Sequence, residues 1–345
     1  MLKKYVSVAL VLCLTFVLAA CGGKSGGNEG ASGGSTPGDG ASGGKSYTFK
    51  LTHITQPTHI WHKTSLKFNE ELQARSGGRM KVDIFPAGQL GTEKDMVTQI
   101  QSGALDFGII TNAYMSSSWE AFNAWFMPFV FNTIDEAAEA RKSDEAKNIL
   151  NTINSDGLVG LDYIFAGNRH ILMKSTTVST PDDVKGKKMR ITGSPSINDF
   201  WTSLGAGPTP MPLPEVFQAL QTGVIDGIDI DLDALMTEKL YEVAKNFTVT
   251  NHMVWPGVVV MSKAVYDSMP DEDRQIVLEA LAAAVEWGNQ ESAKLEIENL
   301  EALKAQGGTV VELQNREAFT AVKDSIYNKY SSNELIKAFL DKFAK

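Results

Sequence analysis

The amino-acid sequence predicts an α/β protein made of two similar lobes, and three observations carry this prediction. Residues 77–91 (GGRMKVDIFPAGQLG) and 99–110 (QIQSGALDFGII) share a pattern with residues 185–196 (KGKKMRITGSPS) and 219–230 (ALQTGVIDGIDI). Each copy reads as a strand, a proline-containing loop, a helix that ends in Gln-Ser/Thr-Gly, and a second strand. Residues 270–308 add one long helical pattern. Strand–helix–strand units at this spacing favour mostly parallel sheets.

The turn from helix to strand is the best-defined part of the repeat. Gly103 and Gly223 stand where a helix needs a left-handed C-terminal residue, and an aliphatic run follows each of them. Asp106 and Asp226 occupy equivalent places in the two copies, which indicates a structural role for both. Chance similarity between two ordinary strand–helix segments is the alternative interpretation.

The helix predicted over residues 270–308 would be unusually long. Asp271 and Asp273 suit its first turn, and Gly307 and Gly308 end it. About 35 residues at 1.5 Å each would span roughly 50 Å, which exceeds the width of one lobe. We therefore expect this helix to lie along both lobes.

The amino terminus is typical of an exported, lipid-anchored protein. Residues 1–20 combine Lys3 and Lys4 with an apolar run that is short for a membrane span and closes on small residues. The sequence Leu-Ala-Ala-Cys ending at Cys21 resembles the lipobox of bacterial lipoproteins, in which the cysteine is lipidated. An ordinary secretory signal is the alternative. Residues 21–46 begin with this cysteine and continue as a Gly/Ser-rich flexible tether.

Composition excludes several classes of function. The chain carries a net charge of -9 and has no basic block, which argues against binding nucleic acid. Cys13 lies in the predicted signal, so Cys21 is the one cysteine expected in the mature chain, and an internal disulfide is excluded. No further apolar stretch is long enough to span a bilayer, so the lipid is the expected anchor.

Sequence motifs for catalysis and metal binding are weak. The chain has no P-loop, H-E-x-x-H or G-x-S-x-G motif, and neither an enzyme activity nor a cofactor is expected. His53, His59 and His62 form a possible zinc group without an acidic partner close in sequence. The spacing Asp229-x-Asp231-x-Asp233 suggests an EF-hand, but that loop needs Gly at its sixth position and Glu at its twelfth, and the sequence has Ala and Leu there.

An aromatic segment, WEAFNAWFMPFVF at residues 119–131, has two interpretations. The simpler one is a part of the hydrophobic core. The other is a surface that docks a membrane partner.

Several longer motifs match one protein family. Residues 167–196, 204–227 (LGAGPTPMPLPEVFQALQTGVIDG) and 250–263 (TNHMVWPGVVVMSK) resemble the solute-binding subunit of tripartite ATP-independent periplasmic (TRAP) transporters, the C4-dicarboxylate-type uptake systems. Residues 75–91 and 127–131 fit as well. The resemblance covers essentially the whole chain from Tyr47.

The resemblance implies a fold and a set of partners. It implies two lobes hinged around a ligand cleft, as in periplasmic binding proteins, with the long helix bridging both. We expect the first lobe in residues 47–166 and about 255–295, and the second in 167–254 and about 296–345. It also implies a TRAP membrane permease as partner, a small organic acid as ligand and no enzyme activity.

The resemblance also indicates binding residues. The carboxylate-binding arginine of the family matches Arg190, and a second arginine matches Arg169. An arginine suits this role because its planar guanidinium holds a carboxylate through two parallel hydrogen bonds. Weaker expectations, each of which could equally be loop structure, concern the following residues: His53, Glu93, Thr111, Asn112 and Leu213.

One departure from the family pattern affects the ligand. The family commonly reads Asp-Gly-Gln-Glu-Asn-Pro where this chain has Asp226-Gly227-Ile228-Asp229-Ile230-Asp231. An amide donor is thus replaced by Ile230. Asp229 is expected to face the cleft and accept from a hydroxyl or ammonium group, whereas Asp231 and Asp233 are expected in solvent.

The predicted function is a lipid-tethered extracytoplasmic receptor that captures a small organic acid and delivers it to a TRAP permease. Three alternatives remain open at this stage. They are a metal-binding receptor that uses the acids or histidines, an exported hydrolase of this fold, and a sensory receptor that reports to a signalling kinase.

Overall fold

The computed structural model describes residues 44–344. The predicted signal (1–20), the lipidation site Cys21 and most of the tether (21–46) lie outside the described residues.

Nine strands are described. They are β1 (Tyr47–His53), β2 (Met80–Phe85), β3 (Phe107–Thr111), β4 (Leu158–Met173), β5 (Lys188–Ile191), β6 (Gly207–Pro210), β7 (Gly227–Ile230), β8 (Asn246–Ser262) and β9 (Thr309–Glu312).

Twelve α-helices are described. They are α1 (Ile60–Ser76), α2 (Glu93–Gln101), α3 (Asn112–Ser118), α4 (Ile134–Ala140), α5 (Asp144–Asn151), α6 (Pro195–Ser203), α7 (Val216–Thr222), α8 (Leu232–Thr237), α9 (Lys263–Ser268), α10 (Asp271–Ala305), α11 (Thr320–Tyr330) and α12 (Glu334–Phe343).

The strands form one sheet in the order β2-β1-β3-β8-β4-β7-β5-β6, and β9 pairs with β8. On one side, β1 pairs in parallel with β2 and β3; on the other, β5 pairs in parallel with β6 and β7. The long antiparallel strands β4 and β8 lie between these two parallel groups and pair with each other along most of their length. The mixed α/β class with two similar parallel groups is therefore confirmed.

The repeat seen in the sequence needs one correction. The sequence pattern matches residues 77–91 to residues 185–196, which would make β2 and β5 equivalent. However, β2 is an edge strand, whereas β5 lies between two neighbours as β1 does. The counterpart of β5 is therefore β1, and the matching letters Met-basic-aliphatic in β2 and β5 are a coincidence of two strand starts.

The equivalence of Asp106 and Asp226 is confirmed at atomic level. Oδ2 of Asp106 accepts a hydrogen bond of 2.7 Å from the backbone N–H of Lys50 in β1. Oδ2 of Asp226 accepts one of 2.8 Å from the backbone N–H of Lys188 in β5. Each carboxylate thus ties the turn before a strand to the neighbouring parallel strand. Gly103 and Gly223 have φ of 77° and 76°, as the predicted left-handed turns require.

The long helix is confirmed as α10, with 35 residues. Its first half contributes Val277 and Leu281 to the larger hydrophobic core, and its last turn contributes Leu303 to a second core built around β7 and α7. Because one rigid helix is buried in both cores, α10 connects the two parallel groups of the sheet.

The aromatic segment 119–131 is core, as the simpler interpretation predicted. Phe122, Trp125 and Phe126 are at most 1 % exposed, and residues Glu120–Phe126 form a 3₁₀ helix. Trp125 packs against Tyr163 at a ring-centroid distance of 4.7 Å. The segment therefore fills the space between the sheet and the C-terminal helix.

The C-terminal helix α12 does not follow the predicted lobe boundary, which assigned residues 296–345 to the second lobe. Phe339 lies 4.9 Å from Trp125, and Lys342 forms an ion pair with Glu145 at 2.5 Å. Both partners belong to the predicted first lobe, so α12 returns to it. The rest of the lobe division stays a prediction.

Within residues 44–344, no helix has the length and apolar character needed to cross a membrane.

Candidate functional site

The candidate site lies where several parallel strands end. Ile54 follows β1, Thr111 ends β3, Thr192 follows β5, and Ile230 ends β7. The carboxyl ends of strands in open α/β sheets are the usual location of ligand sites. Here, residues of both parallel groups meet around one cavity.

The cavity has an inner and an outer part. The inner cavity is lined by both Arg169 and Arg190. The outer cavity is more open and is lined by Glu93 and Tyr114 among others. Four wall residues are common to both parts, which makes them one connected site; they are Ile54, Thr111, Thr192 and Leu213.

Arg190 is the more available of the two arginines. It projects from β5, is 1 % exposed, and donates from Nε and Nη2 to the backbone carbonyl of Met211 at 2.9 and 2.7 Å. Among the described residues, its Nη1 has no hydrogen-bond or ion-pair partner. Burial lowers the pKa of Arg190 to about 9, so the guanidinium is charged at neutral pH. A buried guanidinium that no carboxylate contacts directly favours an anionic ligand.

Arg169 is engaged by the protein itself. Its Nε donates to Oδ1 of Asp229, its Nη2 donates to the backbone carbonyl of Asp229, and its Nη1 lies 3.3 Å from Oδ2 of Asp231. The guanidinium carbon also lies 4.0 Å from the ring centre of Trp255. Arg169 thus lines the cavity with its charge already compensated.

Asp229 lies behind Arg169 and is fully buried. Its Oδ2 accepts from the indole N–H of Trp201 at 2.9 Å and lies 3.3 Å from Nε2 of His252. Burial alone would raise the pKa of Asp229, but Arg169 and His252 hold it well below its usual range. Both carboxylate oxygens are occupied by protein groups, and Asp229 is not among the wall residues of either cavity. In this structure Asp229 therefore holds Arg169 and does not face the cavity, where a ligand contact was expected.

The expectation that Asp231 and Asp233 lie in solvent is wrong, since they are 1 % and 4 % exposed. Oδ1 of Asp231 accepts from the backbone N–H of Ala234 at 2.8 Å and so caps α8. Oδ2 of Asp233 accepts from the backbone N–H of Ile60 at 2.7 Å, at the start of α1. Each carboxylate accepts a backbone N–H that the first turn of a helix leaves without an intrahelical partner. His59 adds to the contact, 3.5 Å from Asp233.

Glu93 and Thr111 form a polar pair on the wall of the outer cavity. Glu93 accepts from the backbone N–H of Thr111 at 2.6 Å and from its hydroxyl at 3.0 Å. Burial raises the pKa of Glu93 to about 7, although Thr111 and the nearby charge of Arg190 oppose this shift. Glu93 therefore changes its charge near neutral pH.

Two other predicted residues lie outside the cavity wall. His53 is fully buried, bonded to Thr55 at 3.0 Å and to His62 at 3.1 Å, and burial lowers its pKa to about 3. Asn112 donates to the backbone carbonyl of Phe122 at 2.8 Å and thereby positions the aromatic segment. Over residues 44–344, no group of three or more His, Cys, Asp or Glu side chains is placed to hold a metal ion.

Among the wall residues that sequence reasoning missed are Trp61, Trp255 and Asp231. Trp255 lies within the motif TNHMVWPGVVVMSK and Trp61 is the second residue of α1, but a tryptophan in such places is indistinguishable from core. Asp231 was noted as a departure from the family pattern. In the structure it contacts Arg169, which is 62 positions away in sequence.

We predict that Asp229→Ala lowers the free energy of unfolding by about 3–5 kcal/mol, because Arg169 would stay buried without its main partner. Urea denaturation measures this loss. Asp83→Ala is the matched control, since that carboxylate is 52 % exposed and lies only near Lys81, and it should change stability by less than about 0.5 kcal/mol. A loss below about 1 kcal/mol for Asp229→Ala would contradict a central role of the pair.

We predict that Glu93→Gln removes part of the pH dependence of stability between pH 5 and 7. The folded-state pKa of Glu93 is raised from 4.5 to about 7, so its contribution is full below the unfolded value and is lost as the pH rises through the folded value. As the pH rises from 5 to 7, the free energy of unfolding of the wild type should therefore fall relative to that of the variant, by at most about 1.4 kcal/mol per pH unit. Urea midpoints measured at several pH values would refute this if the two curves ran parallel.

Comparison with known proteins agrees with this architecture. Residues 51–333 match the family DctP, described as bacterial extracellular solute-binding protein, family 7. The C4-dicarboxylate-binding periplasmic protein DctP of Rhodobacter capsulatus is 29% identical over 261 residues, which cover 75% of this chain and 78% of that protein. The 2,3-diketo-L-gulonate-binding periplasmic protein YiaO of Escherichia coli is 27% identical, over 79% of this chain and 83% of that protein.

A solved structure has the same fold. The TRAP periplasmic solute-binding protein of Sulfitobacter sp. NAS-14.1, with bound β-D-galacturonate, superposes with a TM-score of 0.80 at 27% identity, over 86% of this chain and 99% of that one. The family match extends over both parallel strand groups and the helix that joins them. The chain therefore belongs to the DctP family of bacterial extracellular solute-binding proteins.

Proposed function

We propose that this protein is an extracytoplasmic receptor for a small organic acid, and that the carboxylate of the acid binds Arg190 in the inner cavity. The observation that carries the proposal is the state of Arg190. Its guanidinium is buried, charged and without a carboxylate partner among the described residues. An anion that enters the cavity gains a charge-assisted hydrogen bond and compensates this charge.

The ligands of related proteins support an organic acid. The TRAP solute-binding protein of Sulfitobacter sp. NAS-14.1 has been solved with bound β-D-galacturonate, and that of Chromohalobacter salexigens with bound D-glucuronate. A related sugar acid binding protein of Advenella mimigardefordensis contains galactonate. All three ligands are carboxylates, the chemistry that an unpaired buried arginine recognises.

The other proposed contacts have smaller roles. Thr111 and Leu213 line both parts of the cavity, and Glu93 presents a carboxyl group to the outer part. We assign Arg169 a positioning role, because Asp229 and Asp231 already use its hydrogen-bonding nitrogens. We also infer that the chain acts by binding alone, without catalysing a reaction.

We further propose that the receptor is held at the membrane by lipid on Cys21 and delivers its ligand to a TRAP permease. The lipobox-like sequence and the Gly/Ser-rich residues that follow it support the anchor. The structures named as TRAP solute-binding proteins support the permease. A sensory receptor with the same ligand is the alternative, and loss of uptake in a deletion strain separates the two.

We predict that Arg190→Ala and Arg190→Met weaken binding by about 10²- to 10³·⁵-fold, corresponding to about 3–5 kcal/mol, because the ligand carboxylate would be buried without a counter-ion. Calorimetric titration with galacturonate, glucuronate, galactonate, pantoate and succinate, with and without a chelator, measures the effect. The methionine variant keeps most of the side-chain volume, so it separates lost charge from a cavity in the core.

Arg75→Met is the control for that experiment. Arg75 lies on α1, is 37% exposed and is not among the wall residues of either cavity, so its replacement should leave affinity unchanged. Binding by the Arg190 variants within about threefold of wild type, less than 1 kcal/mol, would contradict the assignment of Arg190. Binding only in the presence of a metal ion would favour a metal-dependent receptor instead.

We predict that Cys21→Ala moves the protein from the membrane fraction to the soluble extracytoplasmic fraction, because the thiol that carries the lipid is lost. Fractionation followed by immunoblotting measures this. Cys13→Ala is the control, since Cys13 lies in the predicted signal and its replacement should leave the protein at the membrane. An unchanged distribution of the Cys21 variant would refute the lipid anchor.

A further inference from the structure

The inner cavity contains two guanidinium groups, but only one of them is available to a ligand. Arg169 donates to both Asp229 and Asp231, and its face rests on Trp255. Arg190 donates only to a neutral backbone carbonyl, that of Met211. The cavity therefore offers a single guanidinium that has no carboxylate within hydrogen-bond distance among the described residues.

We propose that Asp231 makes this cavity selective for monocarboxylates, so that an acid with a second carboxylate is rejected. The proposal rests on the proposed function, since it concerns the acid that Arg190 binds. It assigns to Asp231 a role in specificity beyond its contacts with Arg169 and with the start of α8.

The position of Asp231 carries the argument. Its carboxylate lines the inner cavity, although the residue is only 1 % exposed. Oδ2 lies 3.3 Å from Nη1 of Arg169, and Oδ1 accepts from the N–H of Ala234. The neighbouring wall residue, Ile230, has no side-chain donor. His59 also lines this cavity, but it already faces Asp231 at 4.0 Å and Asp233 at 3.5 Å. A second ligand carboxylate placed here would be buried next to a like charge, with Arg169 and His59 both engaged by protein carboxylates.

The outer cavity does not relieve this repulsion. Glu93 lies on its wall and is close enough to Arg190 for the two charges to interact. Lys94 also lines this part but is exposed. A solvated lysine contributes little to ion pairing. A second carboxylate that extends outward therefore gains no strong partner.

Neutral donors in the inner cavity suit a different substituent. The indole N–H of Trp61 and the hydroxyl of Thr192 are buried, and neither has a hydrogen-bond partner among the described residues. Both residues line the inner cavity. A hydroxyl or oxo oxygen on the ligand would satisfy such donors without adding charge. The favoured ligand is thus a monocarboxylate that carries a neutral oxygen.

The test compares acids that differ by one carboxylate. Isothermal titration of the purified protein would use three matched pairs: 2-hydroxybutyrate and malate, 2-oxopentanoate and 2-oxoglutarate, and galacturonate and galactarate. For each pair in which binding is detected, we expect the monocarboxylate to bind at least about 30-fold more tightly than the dicarboxylate, since burying like charges together is costly.

Two variants assign the preference to Asp231. Asp231→Asn keeps a side chain that can cap α8 but removes the charge, and it should reduce the preference at least about fivefold. Asp233→Asn is the matched control, because Asp233 instead accepts from the backbone N–H of Ile60 in α1 and is not among the wall residues of the inner cavity. It should leave the preference unchanged. Melting temperatures of both variants show whether each is folded.

The outcomes separate this inference from the function on which it rests. If a dicarboxylate bound as tightly as its partner and its binding required Arg190, selectivity would be refuted and the receptor function kept. An unchanged preference in Asp231→Asn would refute the role of Asp231. If none of the six acids bound, the proposed function would fail and this inference with it.

Discussion

The ion pair between Arg169 and Asp229 is the contact on which the site depends. It joins β4 to β7, and the Asp229 carboxylate also reaches Trp201 on α6 and His252 on β8. Burying two charges is costly unless their geometry and remaining hydrogen bonds are satisfied, and here they are. Because four elements converge on one carboxylate, the pair fixes where the end of β7 lies relative to Arg190 on the neighbouring strand.

The Arg169–Asp229 pair also determines which of the two cavity arginines is available to an acid. With Arg169 compensated internally, Arg190 is left as the group that an acid can reach. The cavity walls come from the ends of strands in both parallel groups of the sheet. The contact between Asp233 and the N-terminus of α1 links the two groups. A receptor that opens to release its ligand must break such contacts and re-form them with water. Their modest net energy, about 0.5–3 kcal/mol each, is compatible with reversible closure.

Local rules were sufficient for most of the fold. The helix–strand turns at Gly103 and Gly223 and the ends of α10 follow from backbone conformation and capping, which depend on a few adjacent residues. The repeat pattern matches β5 to β2, although its structural counterpart is β1. This shows the limit of local rules, because the position of a strand in a sheet is set by the whole topology. The site divides in the same way. The family motif indicated Arg190, which lines the cavity. The burial of Asp231 and the compensation of Arg169 arise between residues far apart in sequence. No local pattern reports such contacts.

A crystal structure of the protein with a bound organic acid tests the role of Arg190 most directly. We expect a ligand carboxylate oxygen at about 2.7–2.9 Å from Nη1 of Arg190, the usual length of such charge-assisted bonds. Arg169 should still donate to Asp229 in that complex. A carboxylate bound instead to Arg169, with Asp229 displaced, or an acid held away from both arginines, would contradict the mechanism of binding proposed for this receptor.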